Sequence, residues 1–148
     1  MKKVILLISA VIFIAYSYAQ DSKSVCALNI GVEVPSAEII NINNENEEIK
    51  KLVSEKPTII VFYRGGWCPY CNMELKALQN ILPELTNLNS ELIGITPETP
   101  DNSLTTSEKN ELTFSVLSDI DNVYAKSLGL VFQLPTDLQD VYKGFGIE

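Results

Sequence analysis

Two cysteines separated by two residues, Cys68 and Cys71, directly follow an apolar segment and most constrain how this chain can fold. Residues 57–62 form a short apolar run, which is typical of a strand buried on both faces. Two glycines and Trp67 then turn the chain, and a helical pattern begins at Pro69. The sequence therefore places both thiols where a strand gives way to a helix, a position that suits thiol redox chemistry.

The residues after the cysteines predict one long helix and a second strand. Leucines recur every three or four residues and form one helical face that extends to about residue 89. They are Leu75, Leu78, Leu82, Leu85 and Leu88. Residues 91–96 are again apolar, so the strand, helix and strand predict a βαβ unit with parallel strands and a right-handed crossover.

The remaining segments predict further strands and helices. Before the cysteines we expect a strand at 38–42, a turn at 43–47 and a short helix at 47–54. After residue 96 we expect a polar helix capped by Asp101 or Ser103, an extended segment at 113–118, a helix at 121–128 that stops at Gly129, and a last helix that begins after Pro135 and ends near Gly144.

The N-terminal segment has the composition of a secretory signal peptide. Two lysines precede the apolar stretch 4–15, and a small-x-small end follows at 17–19. The apolar stretch is shorter than the roughly 20 residues of a membrane-spanning helix, which leaves a retained anchor as the alternative. We expect residues 1–19 to be cleaved, residues 20–148 to form one domain, and the protein to be periplasmic or extracellular.

Charge and histidine content exclude several classes of function. The chain has 11 basic and 19 acidic residues and a net charge of −8, so we expect neither a nucleic acid nor a stable membrane partner. Without histidine, Cys-His and Ser-His catalysis and His-ligated metals are excluded. Three cysteines cannot supply four zinc thiolates. We therefore expect no metal and no cofactor.

A helix N-terminus can activate a thiol. Its unpaired N–H groups and partial positive charge favour the thiolate, which is the nucleophile in disulfide exchange. Pro69 fits the first helical turn, where its missing N–H is not needed. We predict that Cys68 attacks a substrate and that Cys71 resolves the mixed disulfide. We also predict that Trp67 covers one side of the pair and leaves one sulfur exposed.

Other residues near the pair have two interpretations each. Arg64 either stabilises a thiolate or a peroxide anion, or it is a solvated loop cation. Glu74 either relays a proton or pairs with Arg64, or it lies on a solvated helix face. Tyr63 and Tyr70 either form hydrogen bonds in the site or only pack. Cys26 is either inert or an alternative resolving thiol.

Residues 62–75, which contain both cysteines, resemble the peroxiredoxin-like branch of the alkyl hydroperoxide reductase/thiol-specific antioxidant family. Residues 30–35, 95–103 and 114–119 resemble further segments of that family, so the resemblance covers nearly all of the chain after residue 19. It implies a thioredoxin-like, peroxiredoxin-like α/β fold of three layers, in which helices flank a central mixed sheet.

The resemblance supports two assignments of the cysteines. In typical peroxiredoxins the attacking cysteine follows a threonine by three residues and a proline by seven, which places Cys71 in the attacking position. Cys68 then replaces the threonine and Arg64 the proline. A thioredoxin-style interpretation instead makes Cys68 the attacking thiol. The missing threonine and proline favour dithiol chemistry led by Cys68.

Three functions follow from these observations. The main prediction is an exported thiol-disulfide oxidoreductase with antioxidant-type activity, which acts on protein thiols or disulfides and receives electrons from a redox partner protein. One alternative is a thiol peroxidase that reduces small hydroperoxides through Cys71. The other is a redox-inert binding module with a structural disulfide. Since the family's fold ends in a β-hairpin and a last helix, we expect this chain to be C-terminally incomplete, with an exposed strand edge.

Overall fold

The structure is a computed structural model that describes residues 28–146. The predicted signal peptide and Cys26 lie outside the described residues. The chain forms two compact units, and the larger one is Leu28–Gly129. The other unit contains the described residues from Leu130 onward. In residues 28–146, no helix is long and apolar enough to cross a membrane.

The larger unit is built on a mixed sheet of five strands. They are β1 (Glu38–Asn41), β2 (Asn46–Glu48), β3 (Thr58–Phe62), β4 (Glu91–Thr96) and β5 (Ser115–Ser118). Their order across the sheet is β2-β1-β5-β4-β3. Strands β3, β4 and β5 are parallel, whereas β1 runs antiparallel to β2 and β5. A mixed sheet flanked by helices is the architecture that the resemblance implies.

Four helices and one 3-10 turn belong to this unit. They are α1 (Ile49–Leu52), α2 (Pro69–Asn87), α3 (Pro100–Lys109), the 3-10 turn Ile120–Asn122 and α4 (Val123–Ser127). The smaller unit contains α5 (Thr136–Gly144), the predicted last helix. Gly129, with φ +70°, follows α4 in the left-handed conformation expected of a helix stop.

The predicted βαβ unit is confirmed in β3, α2 and β4. Leu75 on α2 is fully buried, and three further leucines of the predicted face pack against the same core cluster. They are Leu78, Leu82 and Leu85. Leu88 follows the end of α2 and is 74% exposed, so it does not belong to the buried face. Burial of one leucine side chain stabilises a fold by about 1.5–3 kcal/mol, so this face anchors α2 to the sheet.

Only one of the two apolar strands is buried on both faces. Five of the six residues of β4 are buried, because β4 lies between β3 and β5. β3 is the last strand of the sheet within the described residues, and its Ile59 is 42% exposed. The prediction that residues 57–62 are buried on both faces is therefore wrong. An apolar run predicts a strand but does not distinguish an edge from a central position.

Two local predictions are also corrected. Residues 46–48 form β2, which pairs with β1 in a hairpin. The turn and the helix are therefore both shorter than the predicted ranges 43–47 and 47–54. The Asn41 side chain stabilises this hairpin by donating to Glu47 Oε1 at 2.7 Å. Helix α3 begins at Pro100 with Thr99 as its N-cap, so neither Asp101 nor Ser103 has that role.

Candidate functional site

Cys68 is the N-cap residue of α2. Its backbone is extended, with φ −85° and ψ 112°, and its sulfur accepts a hydrogen bond from the N–H of Cys71 at 3.3 Å. Pro69 occupies the start of the helix, as predicted. The cap satisfies one of the free N–H groups at the helix end with a sulfur atom. Both cysteines therefore lie at the junction between β3 and α2.

The side chain of Arg64 reaches the same sulfur. Its Nη2 lies 3.1 Å from Cys68 Sγ, and its guanidinium carbon lies 5.1 Å from the centre of the Trp67 ring. Of the two interpretations of Arg64, the structure supports the one in which the cation faces a thiol. Trp67 contributes a π-face on which the guanidinium rests.

The surroundings shift the pKa values of the two thiols in opposite directions. Burial raises the pKa of Cys68, but hydrogen bonds from the Cys71 thiol and N–H and from Arg64, together with the charge of Arg64, outweigh it and hold the pKa below its ordinary value. For Cys71, burial and the hydrogen bond given to Cys68 raise the pKa, and contacts with Arg64 oppose them only in part. Cys68 is thus the more acidic thiol.

Both cysteines are buried. Cys68 is 0% exposed and Cys71 is 9% exposed, and both belong to the core cluster that contains Leu75. Trp67 is itself 40% exposed. The prediction that Trp67 leaves one sulfur exposed is therefore wrong, because the helix and the core beneath it enclose both thiols. The two thiols are free, without a disulfide bond between them.

Two glycines allow other elements to approach the loop before Cys68. A Cβ atom on Gly66 would lie 2.1 Å from the Oγ1 of Thr106 on α3. Gly65 has φ +148°, and a Cβ atom there would lie 2.6 Å from Trp67 Nε1 and 2.8 Å from Glu98 Cδ. A larger residue would force these neighbours apart, so the close packing of α3 and Glu98 on this loop depends on glycine.

Three polar residues that the sequence did not single out hold the same loop. Glu98 Oε2 accepts a hydrogen bond from the Gly66 N–H at 2.7 Å. Asn72 Nδ2 donates to the Gly66 carbonyl at 2.7 Å and to the Cys68 carbonyl at 2.9 Å. Asn110, the C-cap residue of α3, donates to Asn72 Oδ1 at 2.7 Å. Glu98 lies in the segment 95–103 that carried the family resemblance, but nothing in its local sequence indicated this contact.

The other candidates near the pair have different positions. Tyr70 is 78% exposed and Glu74 is exposed on α2, which agrees with a solvated helix face. Tyr63 is buried in the same cluster as the cysteines, and its hydroxyl interacts with the Thr96 side chain without a hydrogen bond of good geometry to any described residue. Burial and the charge of Glu98 raise the pKa of Tyr63, so its hydroxyl stays protonated.

The fold and the site define a thioredoxin-fold protein with a capped pair of cysteines. A parallel β3–β4 pair, the intervening α2 and a C-x-x-C motif at its start are the features of that class. Residues 30–143 match the AhpC/TSA family, and the chain belongs to that family.

Individual relatives agree with this assignment. The chain is 28% identical over 103 residues to the candidate peroxiredoxin bcp of Haemophilus influenzae, a match that covers 70% of this chain and 66% of the relative. The crystal structure of peroxidoxin BcpB from Mycobacterium tuberculosis has a similar fold, with a TM-score of 0.66 and 20% identity over 70% of this chain and 68% of that one.

A disulfide oxidoreductase also has this fold. It is a secreted Mycobacterium tuberculosis protein homologous to Escherichia coli DsbE, with a TM-score of 0.55 and 21% identity, and the match covers 66% of this chain and 70% of that one. The matches span just under two thirds of the Haemophilus relative and 48% of a candidate peroxiredoxin bcp of Buchnera aphidicola.

Proposed function

We propose that this chain is a thiol-dependent oxidoreductase in which Cys68 and Cys71 cycle between a dithiol and a disulfide. One observation carries the proposal: the sulfur of Cys68 accepts hydrogen bonds from the Cys71 N–H at 3.3 Å and from Arg64 at 3.1 Å. These donors stabilise a thiolate in a buried position, where an unpaired anion is costly. The neighbouring Cys71 has a raised pKa, so its thiol keeps a proton until its sulfur reacts.

The first candidate reaction is reduction of a disulfide in a partner protein. The Cys68 thiolate attacks one substrate sulfur, the substrate S–S bond breaks, and the other substrate sulfur leaves as a thiolate. Cys71 then loses its proton and attacks the sulfur of Cys68, which releases the second substrate thiolate and forms the Cys68–Cys71 disulfide. Two electrons pass from the pair to the substrate. A partner dithiol protein restores the reduced pair.

The second candidate reaction is reduction of a hydroperoxide, which the named peroxiredoxin relatives and the burial of both sulfurs favour. A small peroxide reaches an enclosed thiol with less rearrangement than a folded protein needs. Cys71 gives up its proton and its sulfur attacks one peroxide oxygen, the O–O bond breaks, and the alkoxide takes up that proton and leaves as an alcohol. Cys68 attacks the resulting sulfenic acid, which releases water and forms the same disulfide.

Serine variants distinguish the two reactions. We would prepare Cys68→Ser and Cys71→Ser in a Cys26→Ser background, so that no third thiol contributes. Mixed-disulfide formation with oxidised glutathione that is lost in Cys68→Ser and kept in Cys71→Ser supports disulfide exchange led by Cys68. Hydrogen peroxide consumption, with dithiothreitol as reductant, that survives Cys68→Ser but not Cys71→Ser supports the peroxidase.

The shared proposal has its own test. In the Cys26→Ser protein, dithiothreitol should convert the oxidised pair to two thiols, and the reduced fraction should follow the thiol:disulfide ratio of a glutathione buffer, which gives the reduction potential of the pair. A pair that resists reduction, with neither exchange nor peroxide consumption in the full chain, would indicate a redox-inert binding module and end the proposal.

We further propose that the protein is exported, with residues 1–19 removed as a signal peptide. The support is the charged, apolar and small-residue pattern of this segment. Cell fractionation followed by N-terminal sequencing should find a chain that starts at Gln20 outside the cytoplasm. A retained N-terminus in the membrane fraction would indicate an anchor instead.

A further inference from the structure

Side chains from outside the cysteine loop fix both polar groups of Gly66. Its N–H donates to Glu98 Oε2 at 2.7 Å, and its carbonyl accepts from Asn72 Nδ2 at 2.7 Å. Thr106 leaves no room for a side chain at this position. Three segments therefore converge on one residue of the loop: the connection after β4, helix α2 and helix α3. This convergence holds the loop two residues before Cys68.

The amide of Asn72 is the link between the loop and α3. Its two N–H hydrogens serve the carbonyls of Gly66 and Cys68, at 2.7 and 2.9 Å. Its oxygen accepts from Asn110 Nδ2 at 2.7 Å, and Asn110 also donates to the Thr106 carbonyl at 2.9 Å. Every hydrogen of the two amide groups is used. A reversed Asn72 amide would place its oxygen against two carbonyls, so the network defines its orientation.

We propose that Asn72 is a positioning residue for the cysteine pair, because its amide holds the Gly66 and Cys68 carbonyls and thereby keeps the Cys68 sulfur within reach of its two N–H donors. Asn110, at the C-terminal end of α3, supports Asn72 in this role. The proposal rests on the proposed function only in that the pair is the reactive group, since Asn72 touches backbone oxygens and not a sulfur.

The expected consequence follows from the geometry of the sulfur. The Cys71 N–H and the Arg64 side chain stabilise the thiolate at 3.3 and 3.1 Å, and hydrogen bonds weaken steeply when distance and angle depart from these values. If the Gly66 and Cys68 carbonyls lose their hydrogen bonds from the Asn72 amide, Cys68 moves relative to both donors. The Cys68 thiolate then becomes less stable, and the pKa of its thiol rises toward the ordinary value.

Gln79 supplies a matched control on the same helix. Like Asn72, it uses a side-chain amide to connect α2 with the chain beyond α3. Its Nε2 donates to Thr113 Oγ1 at 2.9 Å, and its Oε1 accepts from the Thr113 N–H at 2.8 Å. Gln79→Ala removes a comparable amide bridge but lies two helical turns from the cysteines. Asn72→Ala and Gln79→Ala should therefore lose similar stability and differ at Cys68.

The experiment measures the pH dependence of iodoacetamide alkylation of Cys68 in the full chain, with Cys26→Ser and Cys71→Ser as background. We expect Asn72→Ala to move the midpoint of the profile to higher pH, which corresponds to a thiolate fraction lowered roughly threefold or more at a fixed pH below the midpoint. The midpoint is compared because Cys68 is buried, so the absolute rate also depends on access to its sulfur. Asn110→Ala should shift the profile in the same direction by less. Gln79→Ala should leave the profile unchanged.

Chemical unfolding of the same variants separates positioning from stability. The proposal would be overturned if the Asn72→Ala and Gln79→Ala profiles coincide, whether both are unchanged or both are shifted equally. If Asn72→Ala does not fold, Asn110→Ala decides, and an unchanged Asn110→Ala profile overturns the proposal. Alkylation needs no substrate, so a shifted profile in a protein without exchange or peroxidase activity would reject the proposed function while leaving the role of Asn72 intact.

Discussion

The guanidinium Nη2 of Arg64 lies 3.1 Å from the sulfur of Cys68, and the same side chain lies over the ring of Trp67. The cation therefore comes from the loop before α2 and not from the helix. It supplements the two donors that Cys71 provides, which are its backbone N–H and its thiol. Charge and helix capping act together on one sulfur, and this favours Cys68 over Cys71 as the thiolate.

Arg64→Ala should raise the pKa of the Cys68 thiol, because it removes both a hydrogen bond and a positive charge from the sulfur. Arg64→Lys keeps the charge but not the planar guanidinium that rests on Trp67, so its effect should be smaller. Ultraviolet absorbance of the thiolate, followed against pH in the Cys26→Ser background, measures both. An unchanged titration in Arg64→Ala would show that the Cys71 donors suffice alone.

The two thiols should affect the stability of the reduced protein in opposite directions. The change of direction should fall near the ordinary thiol pKa, about 8.5. The folded pKa of Cys68 lies below the unfolded value, so the unfolded chain binds more protons between the two values. The free energy of unfolding then rises with pH up to about 8.5. The folded pKa of Cys71 lies above the unfolded value, so stability falls as the pH rises further.

Urea unfolding under reducing conditions at a series of pH values measures this dependence. Cys68→Ser should lose the rise below about 8.5, and Cys71→Ser should lose the decline above it. Subtracting each variant from the parent protein removes contributions from the other titrating groups. A rise that persists unchanged in Cys68→Ser would contradict the assignment of the lowered pKa to that thiol.

Local sequence patterns were sufficient for the central part of the fold. The apolar run of β3, the leucine spacing of α2 and the proline at the start of α2 all act within a few residues, so they predicted the junction that holds the cysteines. Strand β2 was missed because its three residues, Asn46–Glu48, are polar and carry no alternating pattern. Its pairing with β1 depends on a hairpin that Asn41 stabilises.

The surroundings of the site depend on contacts between distant residues. Glu98 meets Gly66 across 32 positions, and Asn110 meets Asn72 across 38. Such pairs are set by how distant segments of the chain pack together, which no local periodicity predicts. The burial of both sulfurs has the same origin, since the core that encloses them includes Leu92, Phe114 and Val116 from β4, β5 and the segment between. The sequence alone therefore could not predict these features.

Tyr63→Phe should leave the folded protein equally stable or stabilise it by about 1 kcal/mol. The Tyr63 hydroxyl is buried, and within residues 28–146 its contact with the Thr96 side chain does not reach good hydrogen-bond geometry. An unsatisfied buried group costs about 1–3 kcal/mol of desolvation. Tyr124→Phe should behave alike, because its hydroxyl is also buried and has no hydrogen-bond partner in the part of the chain that the structure describes. Tyr70→Phe is the control, since Tyr70 is 78% exposed and its free energy of unfolding should not change. A clear loss of stability in Tyr63→Phe would indicate a buried water or another partner at this hydroxyl.

Gly66→Ala tests the contact between the cysteine loop and α3. The new methyl group would lie 2.1 Å from Thr106 Oγ1 and 3.3 Å from its Cβ, so the loop or the helix has to move. Overpacking of this kind costs about 1–3 kcal/mol, and the movement should also disturb the Cys68 thiolate. Thr106→Ala removes the atom in conflict, so the double variant should be more stable than the sum of the single changes predicts.

Gly144→Ala is the control, because a Cβ atom there meets nothing within 4 Å and the change should be neutral or slightly stabilising. If the effects of Gly66→Ala and Thr106→Ala on the free energy of unfolding are additive in the double variant, the loop accommodates the methyl group without a steric conflict with α3.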